Sequence, residues 1–185
     1  YCFNVSRANT HTPFKDTIRL SNLCVAPETM ILTRDGYKVI SELENEKVDV
    51  WNGEEWSETT VVKTGENREV VKVHLSEFIN GKKTRDVTLV CTPEHKWYDR
   101  NGNVLRTYEL QTGLDLLSWV NPNGDKINHL YQYQEEHENV DTYCFTETKR
   151  NMGVFNGVLT GQCQEICLPT KPYTNMQELY SKEST

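Results

Sequence analysis

The sequence predicts an all-β fold for the middle of the chain, and three observations lead to it. Asn-Gly or Asp-Gly pairs, which favour positive φ at both central positions and mark β-hairpins, occur six times between residues 35 and 157. Runs rich in β-branched and aromatic residues lie between these pairs. Apolar residues at helical spacing are scarce. The pattern therefore predicts short strands joined by tight hairpins.

The individual elements follow from the same signals. Strands are expected at Lys47–Trp51, Thr59–Lys63, Val70–Leu75, Asp86–Cys91 and Asp141–Thr146. Ser41–Glu44 is expected to hold a short helical turn, and Tyr108–Leu117 has the apolar spacing of another helix. Asn121–Val140 is the most polar part of the interior, and we expect it to be an exposed loop.

Composition narrows the class of protein. The 185 residues suffice for one sizeable core. The net charge of −7 argues against a nucleic-acid partner, because phosphate binding relies on clustered Lys and Arg. We find no apolar run near the ~20 residues of a membrane span and no secretory leader. The chain starts at Tyr1 rather than Met, so we expect a piece of a longer protein.

The six cysteines show no regular spacing, and without a leader we expect them to be reduced thiols in the cytoplasm. Reduced thiols are available as nucleophiles. The pairs Cys91/His95 and Cys163/Cys167 come closest to a zinc pattern, but neither is a usual pairing. We therefore expect neither a metal nor another cofactor.

Two junctions, Leu23-Cys24 and Gln162-Cys163, divide the chain. The outer pieces read together as SNL-CQEICLPT, which resembles the active-site segment of the large subunit of class I ribonucleotide reductase. The inner piece begins with Cys and ends with a carboxamide residue before Cys, and it resembles an intein, a segment that excises itself and ligates its flanks. The resemblance implies a host fragment at 1–23, an intein at 24–162 and a second host fragment at 163–185.

The intein resemblance also implies a fold. The family has a horseshoe-shaped all-β domain, called Hint, with pseudo-two-fold symmetry, short helices and two termini that emerge side by side. Inteins often carry a homing endonuclease, or are naturally divided, where this chain has Asn121–Val140. Roughly twenty polar residues cannot hold a nuclease domain, so a mini-intein is expected. Whether the natural gene is split near residue 120 stays open.

Cys24 is the predicted first nucleophile. Its thiolate would attack the Leu23 carbonyl and exchange the amide for a thioester. A lone cysteine is more often a buried structural residue. Here, however, the segment from Cys24 to Gly36 resembles the opening block of inteins, which favours the catalytic interpretation.

Thr92 and His95 form the second predicted group. Their T-x-x-H spacing behind a strand resembles the second intein block. By that resemblance, His95 would protonate the departing nitrogen of Cys24, and Thr92 would bind the oxyanion or orient the scissile bond. Taken alone, one such histidine is more often a packed or surface residue.

Downstream, Cys144 stands where the penultimate block of inteins usually has Asp, and its implied role is proton relay. A small buried hydrophobe on a strand is an equally good interpretation. Cys163 would take the acyl group from Cys24. Gln162 would then cyclise through its side-chain amide to a glutarimide and release the intein. Gly161 replaces the family's penultimate His, which leaves the cyclisation without its usual donor.

Asn151 also stands where the family often has His. The sequence leaves open whether cyclisation is slow for these reasons or whether Cys144 or His95 supplies the proton. The reaction would be a single turnover on the chain's own flanks.

In the joined host, Asn22-Leu23-Cys163-Gln164-Glu165 resembles the reductase run N-L-C-x-E. By that resemblance, Cys163 would carry the thiyl radical, Glu165 would act as general base and Asn22 would bind substrate. The spliced host would be a ribonucleoside-diphosphate reductase that joins other reductase subunits. Cys2 is a weak candidate for a redox cysteine.

Three alternatives stay open at this point. The chain could be a reductase fragment with a passive β-rich insertion, or a β-rich binding module. It could also be a related self-cleaving domain that cuts without ligating. The first two leave Cys24 and Gln162-Cys163 at the boundaries unexplained, and the continuity of the host across the gap argues against the third.

Overall fold

A computed structural model describes residues 24–161 of the chain. This part contains eleven β-strands and two 3₁₀ helices, Ile40–Leu43 and Thr107–Glu109. The strands are β1 (Met30–Thr33), β2 (Gly36–Val39), β3 (Lys47–Trp51), β4 (Trp56–Ile79), β5 (Lys82–Cys91), β6 (Lys96–Tyr98), β7 (Val104–Arg106), β8 (Trp119–Val120), β9 (Lys126–Phe145), β10 (Met152–Phe155) and β11 (Val158–Gly161). The 3₁₀ helices are far too short to cross a bilayer, and the described residues contain no other helix.

Nine of these strands form one sheet in the order β11-β10-β1-β3-β4-β9-β8, with β2 beside β1 and β5 beside β4. The strands β6 and β7 form a separate two-stranded sheet. The pairs between named strands are antiparallel. Some neighbours in the sheet are far apart in sequence, such as β1 and β10. The prediction of an all-β fold with short helices is confirmed. The main core joins distant strands through buried side chains such as Val25, Ile31, Leu75, Phe145 and Phe155.

All six dipeptide turns connect antiparallel neighbours, as predicted. Only two have positive φ at both central residues. They are Asn80-Gly81 (φ 52° and 85°) and Asn156-Gly157 (φ 53° and 87°). In the other four pairs only the glycine has positive φ, so those turns use glycine's freedom at one position.

The strands β4 and β9 pair with each other along most of their length, and this corrects two predictions. Thr59–Lys63 and Val70–Leu75 lie within the single strand β4, whose pairing with β9 shifts register between Lys63 and Val70. Such irregularities let one strand bend without ending.

The expected loop at Asn121–Val140 is wrong for most of its length, because β9 begins at Lys126. Ile127, His129 and Tyr131 alternate as buried residues, which is the period of a strand. The acidic cluster after them lies on the exposed part of the strand. There Glu135 pairs across from Lys72, and its carboxylate accepts a hydrogen bond from Nε2 of His74.

The expected helix at Tyr108–Leu117 is also wrong beyond its first turn. The backbone N–H groups of Gly113 and Leu116 donate to carbonyls of β9, those of Tyr131 (2.8 Å) and His129 (2.9 Å), instead of to their own helix. The helical turn expected at Ser41–Glu44 is present, one residue earlier, as the 3₁₀ helix Ile40–Leu43.

Candidate functional site

The first described residues are inserted between the ends of two strands. Val25 and Tyr143 exchange both backbone hydrogen bonds, at 3.1 and 2.9 Å, and Val25 also bridges to Cys91. The Ala26 N–H donates to the Val90 carbonyl at 3.0 Å. Residues 24–26 are fully buried. The start of this segment is therefore held by β5 on one side and β9 on the other.

Cys24 and Thr92 form a reciprocal pair. The Cys24 N–H donates to the Thr92 Oγ1 at 3.2 Å, and the Thr92 N–H donates to the Cys24 carbonyl at 3.0 Å. The Cys24 N–H belongs to the peptide bond that joins Leu23 to Cys24. The Thr92 hydroxyl therefore contacts the nitrogen of the predicted scissile bond, a position suited to orienting it.

His95 ends a tight turn that starts at Thr92, since its N–H donates to the Thr92 carbonyl at 3.1 Å. The imidazole is fully buried. The rings of Trp97 and Phe155 lie edge-on to it, with centroids at 5.8 and 5.9 Å. Its Nε2 lies 2.8 Å from Oγ1 of Thr160, on the last described strand. One turn thus contacts Cys24 at its first residue and β11 at its last.

Cys144 lies on the same side of the chain as Cys24. Val25 and Tyr143 form a hydrogen-bonded antiparallel pair, so the next pair along is Cys24 opposite Cys144, with side chains on one face. Cys144 is fully buried, and its Sγ donates to the Phe145 carbonyl at 3.5 Å. The structure therefore places Thr92 against Cys24, Cys144 opposite Cys24, and His95 at the end of the turn that begins at Thr92. Their catalytic roles remain predictions.

Cys91 is set apart from the other buried thiols by its surroundings. Its side chain packs in the main core, and its Sγ lies 3.6 Å from the Thr107 Oγ1. Burial raises the pKa of this thiol to about 12, although the contact with Thr107 acts in the opposite direction. Cys91 is therefore a thiol, not a thiolate, at neutral pH.

Several predicted residues lie outside the described range: Leu23, Gln162, Cys163, and the host residues Asn22 and Glu165. The described residues contain no group of three His, Cys, Asp or Glu side chains that could hold a metal ion.

Sequence reasoning missed two buried residues near the downstream end. One is Thr160, which no short motif marks. The other is Glu147, whose carboxylate accepts hydrogen bonds from the Asn52 side chain (3.0 Å) and from the N–H groups of Arg150 (2.9 Å) and Met152 (3.2 Å). Burial alone would raise the pKa of Glu147, but these hydrogen bonds outweigh burial and lower it. Glu147 thereby orders the loop from β9 to β10.

Asn151 lies in that loop. It has φ 61°, a left-handed conformation that Asn tolerates better than most side chains.

Gly161 ends β11 where this strand packs closely on β6. A Cβ at residue 161 would lie 2.8 Å from the Lys96 Cβ and 3.2 Å from the Tyr98 Cε2. The Lys96 Cβ is attached to the backbone and cannot move aside alone. The absence of a side chain at residue 161 is therefore a requirement of the packing.

Comparison with solved structures decides the fold family. The chain superposes on a variant of the Ssp DnaB mini-intein with a TM-score of 0.62 at 17% identity, over 77% of this chain and 95% of that one. It superposes on the DnaB intein from Synechocystis with a TM-score of 0.60 at 16% identity, over 75% and 97%. The domain has the intein fold. At this level of identity the likeness concerns the fold, and no protein-family model matches the chain.

A second likeness concerns sequence. A stretch of 81 residues is 57% identical to the large subunit of ribonucleoside-diphosphate reductase from Invertebrate iridescent virus 6. The stretch is 44% of this chain and 8% of that protein, so the chain spans a small part of the relative's length.

The packing around Gly161 predicts the outcome of a substitution in this intein-fold domain. Gly161→His, which introduces the residue usual in inteins, is expected to lower the free energy of unfolding by about 1–3 kcal/mol, because it forces β11 away from β6. It is not expected to accelerate release of the downstream flank. Urea unfolding and the rate of downstream cleavage measure the two effects.

Two further variants test the cause. Gly161→Ala adds only the Cβ and is expected to destabilise as well. Adding Lys96→Gly to it removes the opposing Cβ, so the double variant should recover part of the loss. An unchanged unfolding midpoint in Gly161→His, or faster cleavage, would contradict the packing argument.

Proposed function

We propose that residues 24–162 excise themselves and ligate residues 1–23 to residues 163–185. The observation that carries the proposal is the turn from Thr92 to His95. Its first residue, Thr92, is hydrogen-bonded to Cys24 at the upstream end of the segment. Its last residue, His95, is hydrogen-bonded to Thr160 near the downstream end. Self-excision requires that two ends distant in sequence meet, and such orientation supplies on the order of 7–11 kcal/mol of a barrier.

The first step is an acyl shift at the upstream junction. The Cys24 sulfur attacks the carbonyl carbon of Leu23, the C–N bond breaks, and the nitrogen leaves with a proton. Thr92 supports this step because its hydroxyl accepts the N–H of that nitrogen. His95 would carry the proton from the thiol to the nitrogen. The product is a thioester with a free amino group on Cys24.

The next steps take place at the downstream junction. The Cys163 thiolate displaces Cys24 from the thioester and gives a branched intermediate. The Gln162 side-chain nitrogen then attacks the backbone carbonyl carbon of the same residue. This breaks the peptide bond to Cys163 and closes a glutarimide ring. The new amino group of Cys163 takes the acyl group from its own sulfur and forms the peptide bond. Cys144, opposite Cys24, is proposed as proton relay.

The likeness to a reductase large subunit supports a reductase as the host of the segment. The two flanks hold 46 residues together, so a matched stretch of 81 residues must also include part of residues 24–162. We propose that the joined host is a reductase large subunit, with Cys163, Glu165 and Asn22 in the roles that the resemblance implies. The host would be inactive before splicing, since the segment interrupts this run.

Mass spectrometry of the purified chain over hours to days, with and without added thiol, tests the proposal. The expected products are the free segment 24–162, with a glutarimide end, and a joined product of 1–23 with 163–185. Cleaved but unjoined flanks would instead indicate a self-cleaving domain. A chain that stays intact under all these conditions would support a passive insertion.

A further inference from the structure

We infer that Thr160 is a positioning residue that selects which nitrogen of His95 handles the proton at the upstream junction. This inference rests on the proposed function. Thr160 lies on β11 and is fully buried. Its single hydroxyl group contacts two partners, Nε2 of His95 at 2.8 Å and the Gly161 carbonyl at 3.1 Å.

The directions of these two hydrogen bonds follow from the chemistry of the groups. In the structure the Thr160 hydroxyl donates its proton to the Gly161 carbonyl, which can only accept. The hydroxyl has no second proton, so in this arrangement it accepts from His95, and Nε2 carries the N–H. In the neutral ring the proton is then absent from Nδ1.

This tautomer determines the working atom of His95. With Nε2 donating to Thr160, Nδ1 is the nitrogen that can take the Cys24 thiol proton and return it to the departing amide nitrogen. One atom then acts first as base and then as acid. A histidine whose orienting hydrogen bond is lost samples the wrong tautomer, and catalysis drops accordingly.

The close approach of β11 to β6 makes the contact possible. Gly161 has no side chain to hold the strands apart, and β6 begins directly after His95. The same packing that excludes a histidine at residue 161 therefore brings Thr160 to the imidazole. Its hydroxyl links the ring at the upstream junction to the last carbonyl before Gln162.

The test isolates the upstream step. In a chain with Cys163→Ala, which cannot transfer the acyl group, added dithiothreitol releases residues 1–23 from the thioester. Thr160→Val is expected to slow this release on the order of 10–100-fold, less than the 10²–10⁴-fold that a positioned acid–base group typically contributes, because the imidazole itself is retained. Thr160→Ser, which keeps the hydroxyl, should stay within a few-fold of the parent. Thr33→Val is the matched control, because Thr33 is also buried and donates to the Gly36 carbonyl at 2.6 Å in a different hairpin.

A second measurement separates this role from a loss of packing. Long-range ¹H–¹⁵N spectra of the full chain with Cys24→Ala should show His95 protonated on Nε2, and Thr160→Val should change that tautomer. A slower release with an unchanged tautomer would overturn the inference, as would an unchanged rate. If the parent releases no fragment at all, the proposed function fails, and the spectra still decide whether Thr160 sets the tautomer.

Discussion

The variant Cys24→Ala is expected to form no thioester and no joined product. The acyl shift needs a nucleophile bonded within reach of the Leu23 carbonyl. Cys24 supplies it by covalent linkage to Leu23, and its own backbone is fixed by hydrogen bonds with Thr92 and by the pairing of Val25 with Tyr143. Mass spectrometry with added thiol should show no release of residues 1–23 at any time. Slow cleavage at Gln162 alone would not contradict this prediction, because cyclisation does not use the Cys24 sulfur.

Cys91→Ala is the matched control for this prediction. Cys91 is also a buried thiol next to Val25, but its raised pKa and its place in the core exclude it as the nucleophile. This variant should still splice, with a free energy of unfolding lower by roughly 1 kcal/mol. Joined product from Cys24→Ala would remove Cys24 from the mechanism. Loss of splicing in a folded Cys91→Ala chain would contradict the exclusion of Cys91.

His95→Gln is expected to slow the thiol-induced release of residues 1–23 by about 10²–10⁴-fold, the contribution typical of a positioned acid–base group. Glutamine can donate to Thr160 as the imidazole does, but it cannot carry a proton between the thiol and the amide nitrogen. The rate of release in the Cys163→Ala background measures the effect.

His129→Gln separates chemistry from stability in that experiment. His129 is the other buried histidine of the described residues, and its Nε2 lies 3.3 Å from the Glu77 Oε2, where β9 pairs with β4. Its replacement should lower the melting temperature and leave the rate of release within a few-fold. If both variants slow release equally, or if His95→Gln releases the flank at the parent rate, the proposed role of His95 is wrong.

Local signals in the sequence were enough for much of the fold. Each Asn-Gly or Asp-Gly pair marks a hairpin, because the turn needs a residue that tolerates positive φ whatever lies around it. The wrong predictions concern segments whose conformation depends on the strand with which they pair. Residues 126–140 are polar, yet they form a strand because β4 offers a matching edge, and the buried alternation of Ile127, His129 and Tyr131 was the overlooked sign.

Some residues of the candidate site could likewise be predicted from local sequence, and others could not. Cys24, Thr92 and His95 could be proposed from short motifs, and the fold brings them together. Thr160 could not, because its contact with His95 depends on how β11 packs on β6. Gly161 was interpreted from sequence as the loss of a donor, whereas the structure shows that a side chain there would overlap Lys96. A motif records which residues are present but not how closely two strands approach.

The pairing of Val25 with Tyr143 has a consequence for the order of events during synthesis. A ribosome delivers Cys24 more than a hundred residues before Tyr143 leaves the exit tunnel. Until then, one of the two strand ends that hold the upstream bond does not exist, and the nascent chain cannot assemble the site. If the segment excises itself as proposed, the order of synthesis would delay cleavage at the first junction until Tyr143 has been made.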